Sequence, residues 1–273
     1  MKIARVFPRK TEATPMDELA FVGDPPMFPP EVEEIHVSCT FSYDKQKAEY
    51  LAYQWDRYKI PVKLGGPAYG QFTEEFIPGN YLKKGFVITS VGCPNKCWFC
   101  RVPKGPKELE IKEGWIVQDD NLLACSENHI KNVFEMLGRQ KNHAEFRGGL
   151  EAKLLKPWHI ELLQKINPKS MYFAYDTPDD YEPLLEAGKM LNEAGFTLRS
   201  RKKSAYVLIG YPKDAMEKAE KRLLDTLKAG YIPFAMLYKD KQGNENKEWR
   251  KFQRPWARPA IIYTKYREYF MEG

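Results

Sequence analysis

The sequence has no long apolar run. Nowhere do its 273 residues contain the roughly 18 to 20 consecutive apolar residues that a bilayer-spanning helix needs, and the mean hydropathy is -0.58. The opening segment, MKIARVFPRKTEATP, has no apolar stretch of the kind found in secretory signals. Disorder is also excluded, because 43% of the residues are hydrophobic and 14% are aromatic, enough to bury a sizeable core. We therefore expect a soluble, cytoplasmic protein that has no membrane partner.

Cysteine is scarce, and the count of five is odd. An odd count argues against a closed disulfide framework. Cys93, Cys97 and Cys100 are crowded together, whereas Cys39 and Cys125 stand alone. We expect the two isolated cysteines to be small buried side chains, although Cys125 follows a predicted strand and is also a candidate hydrogen donor or ligand. The three crowded thiols predict a metal or cluster site.

A regular alternation of strands and helices begins near Gly85. The predicted strands are near-continuous apolar runs, as parallel strands covered by helices require: FVITSV, WIVQDD, HAEFRGG, SMYFAYDT, AYVLIGYP and IPFAMLY. Six such β/α units fall two short of a closed eight-stranded barrel. The predicted fold class is therefore α/β, a partial (β/α)6 TIM-like barrel over residues 79–238, with a small N-terminal α/β appendage.

The appendage is predicted over residues 1–78. Its first 34 residues are proline-rich and without a regular period, which favours an extended arm lying on the body. A strand at IHVSCTF, a helix at KQKAEYLAYQWDRYK and a strand at PVKLGG follow, and together they make one parallel crossover unit. The remaining residues, 239–273, are predicted to be a basic and aromatic tail that packs on the barrel.

Polar or reactive side chains follow each predicted barrel strand. The carboxyl ends of parallel strands are where such folds perform chemistry, so these residues form the candidate site. The catalytic candidates are Cys125, Tyr175, Asp176, Tyr211 and Tyr238. In a tyrosine-rich chain, the tyrosines could equally line the core.

The crowded cysteines have the spacing C-x3-C-x2-C in GCPNKCWFC. A structural zinc site needs four ligands, and no fourth Cys or His lies nearby in the sequence. Thiolates suit iron–sulfur clusters, and cuboidal clusters take four of them. Three ligands would leave one iron open to a small molecule, which is a catalytic arrangement.

This motif, with Phe99 before its last cysteine, resembles the signature of the radical S-adenosylmethionine superfamily. The resemblance implies that Cys93, Cys97 and Cys100 bind a [4Fe-4S] cluster and that S-adenosylmethionine chelates the open iron. It further implies reductive cleavage to a 5'-deoxyadenosyl radical that abstracts hydrogen, with an electron donor such as flavodoxin or ferredoxin. The segment from GGPAYG to the cysteine motif also resembles the junction in cobalamin-domain radical enzymes.

Further residues are assigned to the cofactor site by the same resemblance. Phe99 would lie beside the adenine. Arg147 would pair with the cofactor carboxylate, or it would form a structural ion pair with Glu145 or Glu151 instead. The family commonly has a Gly-Gly-Glu run that receives the cofactor amino group; here the corresponding residues are Gln118, Asp119, Asp120 and Asn121. The two aspartates could instead only cap the following loop. In YVLIGYP the adenine contacts would come from Val207, Ile209 and Gly210.

The appendage resembles a truncated cobalamin-binding domain. It lacks the D-x-H-x-x-G segment that presents an axial histidine, since the residues after His36 are Val37, Ser38 and Cys39. We therefore expect no cobalamin, and expect the appendage to extend the sheet of the barrel or to cover its open edge.

Two basic segments accompany a formal net charge of +6. The first is Arg199, Arg201, Lys202 and Lys203; the second is Arg250, Lys251, Arg254 and Arg258, interleaved with Trp249, Phe252 and Trp256. Such a mixture can hold a nucleotide or a nucleic acid, or it can be a solvated surface whose aromatics turn into the core. The sequence favours a radical enzyme acting on a small molecule, a nucleotide or a nucleic acid. The alternatives are a zinc-containing nucleic-acid-binding module and a non-enzymatic electron carrier.

Overall fold

The computed structural model describes residues 1–71, 75–240 and 242–271. They form two compact units, one of residues 1–86 together with 240–244, and one of residues 87–239 together with the chain from Glu245 onward. Among the helices of these described ranges, none is both long enough and apolar enough to span a membrane.

The first unit contains a four-stranded parallel sheet. Its strands are β1 (Ile3–Phe7), β2 (Ala20–Val22), β3 (Glu34–Ser38) and β4 (Val62–Gly65), in the spatial order β2-β1-β3-β4. Helix α1 (Lys45–Trp55) joins β3 to β4, so the predicted strand–helix–strand unit is confirmed. α1 buries Ala48, Leu51 and Trp55 in a core that it shares with β1 and β3.

The expectation of an extended arm over the first 34 residues is wrong. β1 lies in the interior of the sheet, and its Ala4 and Val6 are fully buried. The strand is only five residues long and ends before Pro8, so its local pattern is weak. Its stability comes from pairing with β3, whose residues lie about thirty positions later in the chain, and no local period reports such a pairing.

The second unit contains a six-stranded sheet with sequential strand order. The strands are β5 (Phe86–Val87), β8 (Ile116–Val117), β9 (Glu145–Phe146), β10 (Ser170–Ala174), β11 (Lys203–Ile209) and β12 (Ile232–Leu237). All pairings from β8 to β12 are parallel. Helices follow the last five strands: α2 (Glu127–Gly138), α3 (Pro157–Ile166), α4 (Tyr181–Glu193), α5 (Met216–Lys228) and α6 (Lys247–Trp256). The partial barrel is confirmed.

The first unit of the barrel departs from the predicted alternation, because residues 88–115 contain no α-helix. Instead β6 (Ser90–Val91) pairs antiparallel with β7 (Lys107–Glu108). Pro103, Gly105 and Pro106 interrupt this connection, and proline and glycine are the residues least compatible with a helix interior. The six strands therefore carry five helices, and the cysteine motif lies in an irregular loop.

Successive residues of the barrel strands face opposite sides, as the pleat requires. On β11, Lys203 donates a hydrogen bond to Asn192 Oδ1 of α4 at 2.8 Å, so Lys203 and the residues two, four and six positions later face the helices. The opposite face carries Tyr206, which stacks on Tyr172 of β10 with ring centroids 4.8 Å apart. Tyr206 also meets Phe234 of β12 edge-on at 5.7 Å. The inner face of the sheet is therefore aromatic.

The chain ends in three helices, α6, α7 (Pro259–Lys265) and α8 (Arg267–Met271). The inner face of α6 packs on the barrel: Gln253 donates to the Ala235 carbonyl of β12 at 3.0 Å, and Trp256 is buried. The ring of Trp249 lies over Gly210, where an added Cβ would come within 3.0 Å of it.

Candidate active site

The cysteine loop runs from Gly92 to Cys100 and is tied to the segment that follows it. Cys93 N donates to the Pro103 carbonyl at 2.8 Å, and Gly105 N donates to the Cys93 carbonyl at 3.0 Å. Gly92 has a φ of 94°, and a Cβ there would lie 2.2 Å from the Gly105 carbonyl oxygen. Only glycine fits this position. The thiol of Cys93 is half-buried, whereas Cys97 and Cys100 are exposed.

The three thiols share one electrostatic environment. The pKa of Cys97 is raised, first by partial burial and then by the neighbouring Cys100 and Cys93. In the described part of the chain no three His, Cys, Asp or Glu side chains converge on a single metal position. Ligands of a cuboidal cluster bind separate irons and need not converge on one point, and thiolates are the ligands that such clusters take. The donor set therefore fits an iron–sulfur cluster better than a single ion.

The two aspartates after β8 hold the strand end and the start of the cysteine loop. Asp119 is buried and accepts hydrogen bonds from Thr89 N at 2.7 Å, Thr89 Oγ1 at 2.6 Å and Ser90 Oγ at 2.7 Å. Asp120 accepts one from Gly92 N at 2.7 Å. Burial raises the pKa of both carboxyl groups. This geometry favours the capping alternative over direct cofactor contact.

Asn121 lies directly beside the first cysteine. Its Nδ2 is 3.4 Å from Cys93 Sγ and donates to Glu151 Oε2 at 2.6 Å. The residue is only 3% exposed, and within the described chain its Oδ1 atom is buried without a hydrogen-bond partner. An orphaned buried carbonyl is costly, so this oxygen is the acceptor at the site that still needs a donor.

Arg147, at the end of β9, forms the structural ion pair that the sequence left open. Its Nε and Nη2 donate to Glu145 Oε2 at 2.9 and 2.7 Å, and Lys169 binds the other oxygen of Glu145 at 2.7 Å. Gln118 is half-buried, and its backbone N–H donates to the Val87 carbonyl. The ion pair of Arg147 with Glu145 and the backbone hydrogen bond of Gln118 with Val87 do not involve a cysteine.

An aromatic cluster connects the cysteine loop to the ends of β11 and β12. The ring of Trp98 lies 5.7 Å from that of Tyr211 and 5.9 Å from that of Tyr238. Phe99, which is half-buried, meets Trp98 edge-on at 5.4 Å. The structure thus brings Phe99, Tyr211 and Tyr238 together around Trp98.

Tyr175 is not part of this cluster; it takes the alternative that the sequence left open for the tyrosines, a place in the core. It is 5% exposed and packs on Tyr181 of α4 at 5.6 Å. Burial raises its pKa, and the next contribution comes from Asp225 on α5, so its side chain is on the helix side of the sheet. The alternation along β10 explains this placement, because Asp176, one residue later, faces the other side.

Asp176 accepts a hydrogen bond from Leu208 N at 2.9 Å. Burial raises the pKa of its carboxyl to about 6, and the backbone hydrogen bond opposes that shift. Asp176 and Asp180 both contribute to the raised pKa of Cys97, which puts the end of β10 beside the cysteine loop.

The remaining predicted residues are Val207, Ile209, Gly210 and Cys125. They differ in whether the backbone or the side chain is available to a ligand. Val207 and Ile209 are fully buried toward the helices, so only their backbone can reach a ligand. Gly210 has a φ of 71°, and its N–H donates to Asp214 Oδ2 at 2.9 Å. Cys125 is half-buried beside Ser90, and burial raises the pKa of its thiol to about 11. A thiol with that pKa is a weak nucleophile and ligand, in agreement with the structural alternative.

Sequence reasoning missed three residues of the site: Trp98, Glu151 and Asp180. Trp98 stands inside the cysteine motif, so its position carried a signal. Glu151 follows the two glycines after Arg147, and Asp180 accepts hydrogen bonds from the backbone of Asp176 and Thr177. Nothing local to these two acidic residues relates them to the cysteines.

The chain shares its architecture with solved structures of a radical S-adenosylmethionine methyltransferase. No family model and no curated protein sequence matches the chain. It is similar to the structure of the radical S-adenosylmethionine methyltransferase TsrM from Kitasatospora setae with cobalamin and a [4Fe-4S] cluster bound. The identity is 11%, the TM-score is 0.58, and the match covers 86% of this chain and 74% of that one.

A second structure of TsrM from Kitasatospora setae, with tryptophan substrate and an analogue of S-adenosylmethionine (aza-SAM) bound, gives 12% identity and a TM-score of 0.55. The match covers 76% of this chain and 62% of that one. These similarities confirm the fold and support the superfamily resemblance of the cysteine motif.

Proposed function

We propose that this protein is a radical S-adenosylmethionine enzyme in which Cys93, Cys97 and Cys100 bind a [4Fe-4S] cluster. When bound, the cluster and S-adenosylmethionine supply a reductively generated 5'-deoxyadenosyl radical that abstracts hydrogen from a substrate. The observation that carries the proposal is the position of the cysteine loop. It lies across the carboxyl ends of the barrel strands, with a buried amide of the neighbouring strand on Cys93.

Asn121 is the residue we assign to the cofactor amino group. Its Oδ1 is buried and without a partner in the described chain, and an ammonium group supplies the donors that this oxygen needs. Its Nδ2 is held between Cys93 and Glu151, so the amide cannot turn away. Asp119 and Asp120 act indirectly, because they fix Thr89, Ser90 and Gly92 at the entry to the loop.

The aromatic cluster of Trp98, Phe99, Tyr211 and Tyr238 forms an apolar wall at the same edge. Such a wall suits an adenine ring and helps to exclude water from a reactive intermediate. The backbone of Val207, Ile209 and Gly210 completes the proposed cofactor site, whereas Arg147 acts as the partner of Glu145. An acidic one-electron donor such as flavodoxin or ferredoxin is the proposed reductant.

We propose that the N-terminal unit holds no cobalamin, although the similar structure does. In a doubly wound sheet the cofactor crevice lies at the carboxyl ends of strands whose connections diverge, here β1 and β3. That position is occupied by the ion pair between Arg9 and Asp44, with two hydrogen bonds of 2.5 Å. The open groove that remains beside this ion pair encloses only about 40 Å³, room for a few water molecules.

The ring nitrogens of the appendage histidine also argue against a metal ligand. His36 Nε2 lies 2.8 Å from Glu34 Oε2, and its Nδ1 contacts the Tyr81 hydroxyl. Both nitrogens are therefore engaged within the unit.

Anaerobic reconstitution with iron and sulfide tests the proposal. We expect a brown protein with broad visible absorption that forms 5'-deoxyadenosine from S-adenosylmethionine and dithionite. Cys97→Ala should abolish both signals, because it removes a cluster ligand. Cys39→Ala is the matched control and should keep both, since Cys39 is a buried thiol of the first unit. A colourless protein with stoichiometric zinc, or a stable cluster with no cofactor cleavage, would overturn the proposal.

A further inference from the structure

The outer face of α6 carries an unbroken row of cations. Lys247, Lys251 and Arg254 are four and three residues apart, a spacing that puts side chains on one face of a helix, and Arg258 follows just past the helix end. All four side chains are exposed. With a rise of about 1.5 Å per residue, the row from Lys247 to Arg254 spans roughly 10 Å. We call these four residues the basic ridge.

The first basic segment, which contains Arg199 and Arg201, lies against the same helical tail. The guanidinium of Arg201 stacks on the ring of Tyr263 in α7 at 4.2 Å, and α8 contacts the turn of residues 198–200. Arg199 and Arg201 are exposed there. Arg199 and Arg201 are thus placed beside α7 and α8, the helices that follow the ridge in the chain.

The acidic groups around the ridge do not neutralise it. Glu245 pairs with Arg250 at 2.9 Å and with Lys239 at 3.5 Å, so its charge is already shared by two cations outside the ridge. Glu248 lies about 60° around the helix from Lys251, three residues later, but it forms no salt bridge with that lysine among the described residues. No salt bridge to a ridge residue occurs within residues 1–71, 75–240 and 242–271.

The upper end of the ridge is near the proposed active site. Lys247 is the first residue of α6. Two residues before it, Glu245 forms a salt bridge with Lys239. Lys239 directly follows Tyr238 in the chain. Tyr238 contacts Trp98 of the cysteine loop. A polyanion lying on the ridge would therefore extend toward the rim that carries the cysteines.

On α6 the exposed face offers charge without an apolar centre. The exposed Ile261 and Tyr263 lie beyond it on α7, where the guanidinium of Arg201 stacks on the Tyr263 ring at 4.2 Å. The aromatic side chains of α6 turn toward the barrel, with Trp256 buried and Trp249 over Gly210. A protein interface needs buried apolar anchors, a membrane surface needs an apolar face to insert, and single strands need exposed rings on which bases stack. The backbone of a double helix needs only positioned cations.

We propose that the basic ridge, together with Arg199 and Arg201, binds the sugar–phosphate backbone of a nucleic-acid double helix. If the ridge docks the substrate of the enzyme, the substrate class is nucleic acid. This role as a docking surface rests on the proposed function. Binding itself does not depend on the cluster.

The test is fluorescence anisotropy of the full-length protein with a labelled 30-base-pair duplex over a series of NaCl concentrations. We expect Lys251→Glu combined with Arg254→Glu to raise the Kd roughly tenfold or more near 0.1 M salt, and to reduce the slope of log K against log salt by about 2. Lys165→Glu combined with Lys189→Glu is the matched control. These exposed lysines lie on α3 and α4, the change in net charge is the same, and the Kd should stay within about twofold.

Three results would overturn the proposal. One is wild-type protein that does not bind the duplex, and another is an equal loss of affinity in both double variants. The third is wild-type protein that binds phosphatidylserine vesicles or single strands in preference to the duplex. Formation of 5'-deoxyadenosine without substrate, measured in the same double variants, separates the two proposals. If cleavage persists while duplex binding is absent, only the docking inference fails.

Discussion

At the scale of single residues, four consecutive polar side chains after β8 take four different roles. Gln118 continues the sheet through its backbone, Asp119 binds Thr89 and Ser90, and Asp120 binds Gly92. Of these four residues, only Asn121 reaches a cysteine, and its Oδ1 is buried without a hydrogen-bond partner in the described part of the chain. Adjacent residues diverge in this way because successive side chains leave the backbone in different directions.

Asn121→Ala should weaken the binding of S-adenosylmethionine more than it lowers the rate at saturation. A hydrogen bond to a charged group contributes about 1.5–3 kcal/mol, so we expect KM to rise on the order of tenfold to a hundredfold while kcat for 5'-deoxyadenosine formation changes little. Steady-state kinetics of the reconstituted enzyme measures both. Asn192→Ala, which removes the amide beside Lys203 on the helix side, is the control and should leave KM unchanged. An unaltered KM in Asn121→Ala would refute the assignment.

At the scale of elements, the ends of β8 and β9 approach each other so closely that only glycine fits. A Cβ on Gly148 would lie 1.8 Å from the Asp119 carbonyl oxygen, and one on Gly149 would lie 3.0 Å from that of Asp120. This approach is what brings Glu151 to Asn121. The glycines after β9 are therefore packing residues that shape the site.

Gly148→Ala should lower the free energy of unfolding by about 1–3 kcal/mol or more, because the methyl group forces the two strand ends apart. Gly138→Ala is the contrasting control. Gly138 is the last residue of α2, and its Cβ would meet nothing nearer than Ile166 Cγ2 at 3.9 Å. That change should be neutral or stabilising by up to about 1 kcal/mol. Urea denaturation of both variants measures the difference, and equal stabilities would contradict the close approach.

The connection between β5 and β8 shows where prediction of elements failed. The apolar run FVITSV reads as one strand but divides into β5 and β6, because Thr89 and Ser90 turn to bind Asp119. The missing helix of this connection leaves the cysteine loop free of regular structure.

At the scale of the whole molecule, the two compact units have separate cores, and the proposed cluster belongs to the second. A ligand stabilises what binds it by mass action, about 2.7 kcal/mol at a hundredfold excess over its Kd. Amide hydrogen exchange measures the free energy of local opening. Ligand binding raises that free energy only in segments whose opening would release the ligand.

Reconstitution with iron and sulfide, followed by S-adenosylmethionine, should slow amide hydrogen exchange in residues 92–105, 118–121 and 206–211. Exchange in β1, β3 and α1 of the first unit should not change. Mass spectrometry of the native chain measures both regions in one experiment, with Cys97→Ala as the unliganded control. Protection that appears first in residues 1–65 would show that the cofactor binds elsewhere.

The sequence alone determined the partial barrel and the position of the three cysteines after its first strand, because these follow from local periodicity and from where the motif stands in the chain. It predicted Tyr175 and Asp176 as one pair, and the pleat of β10 separates them onto opposite faces. It did not predict β1 as an interior strand, Glu151 as the partner of Asn121, or the meeting of Arg201 with α7. Only the tertiary structure decided these, because each depends on contacts between residues that lie far apart along the chain.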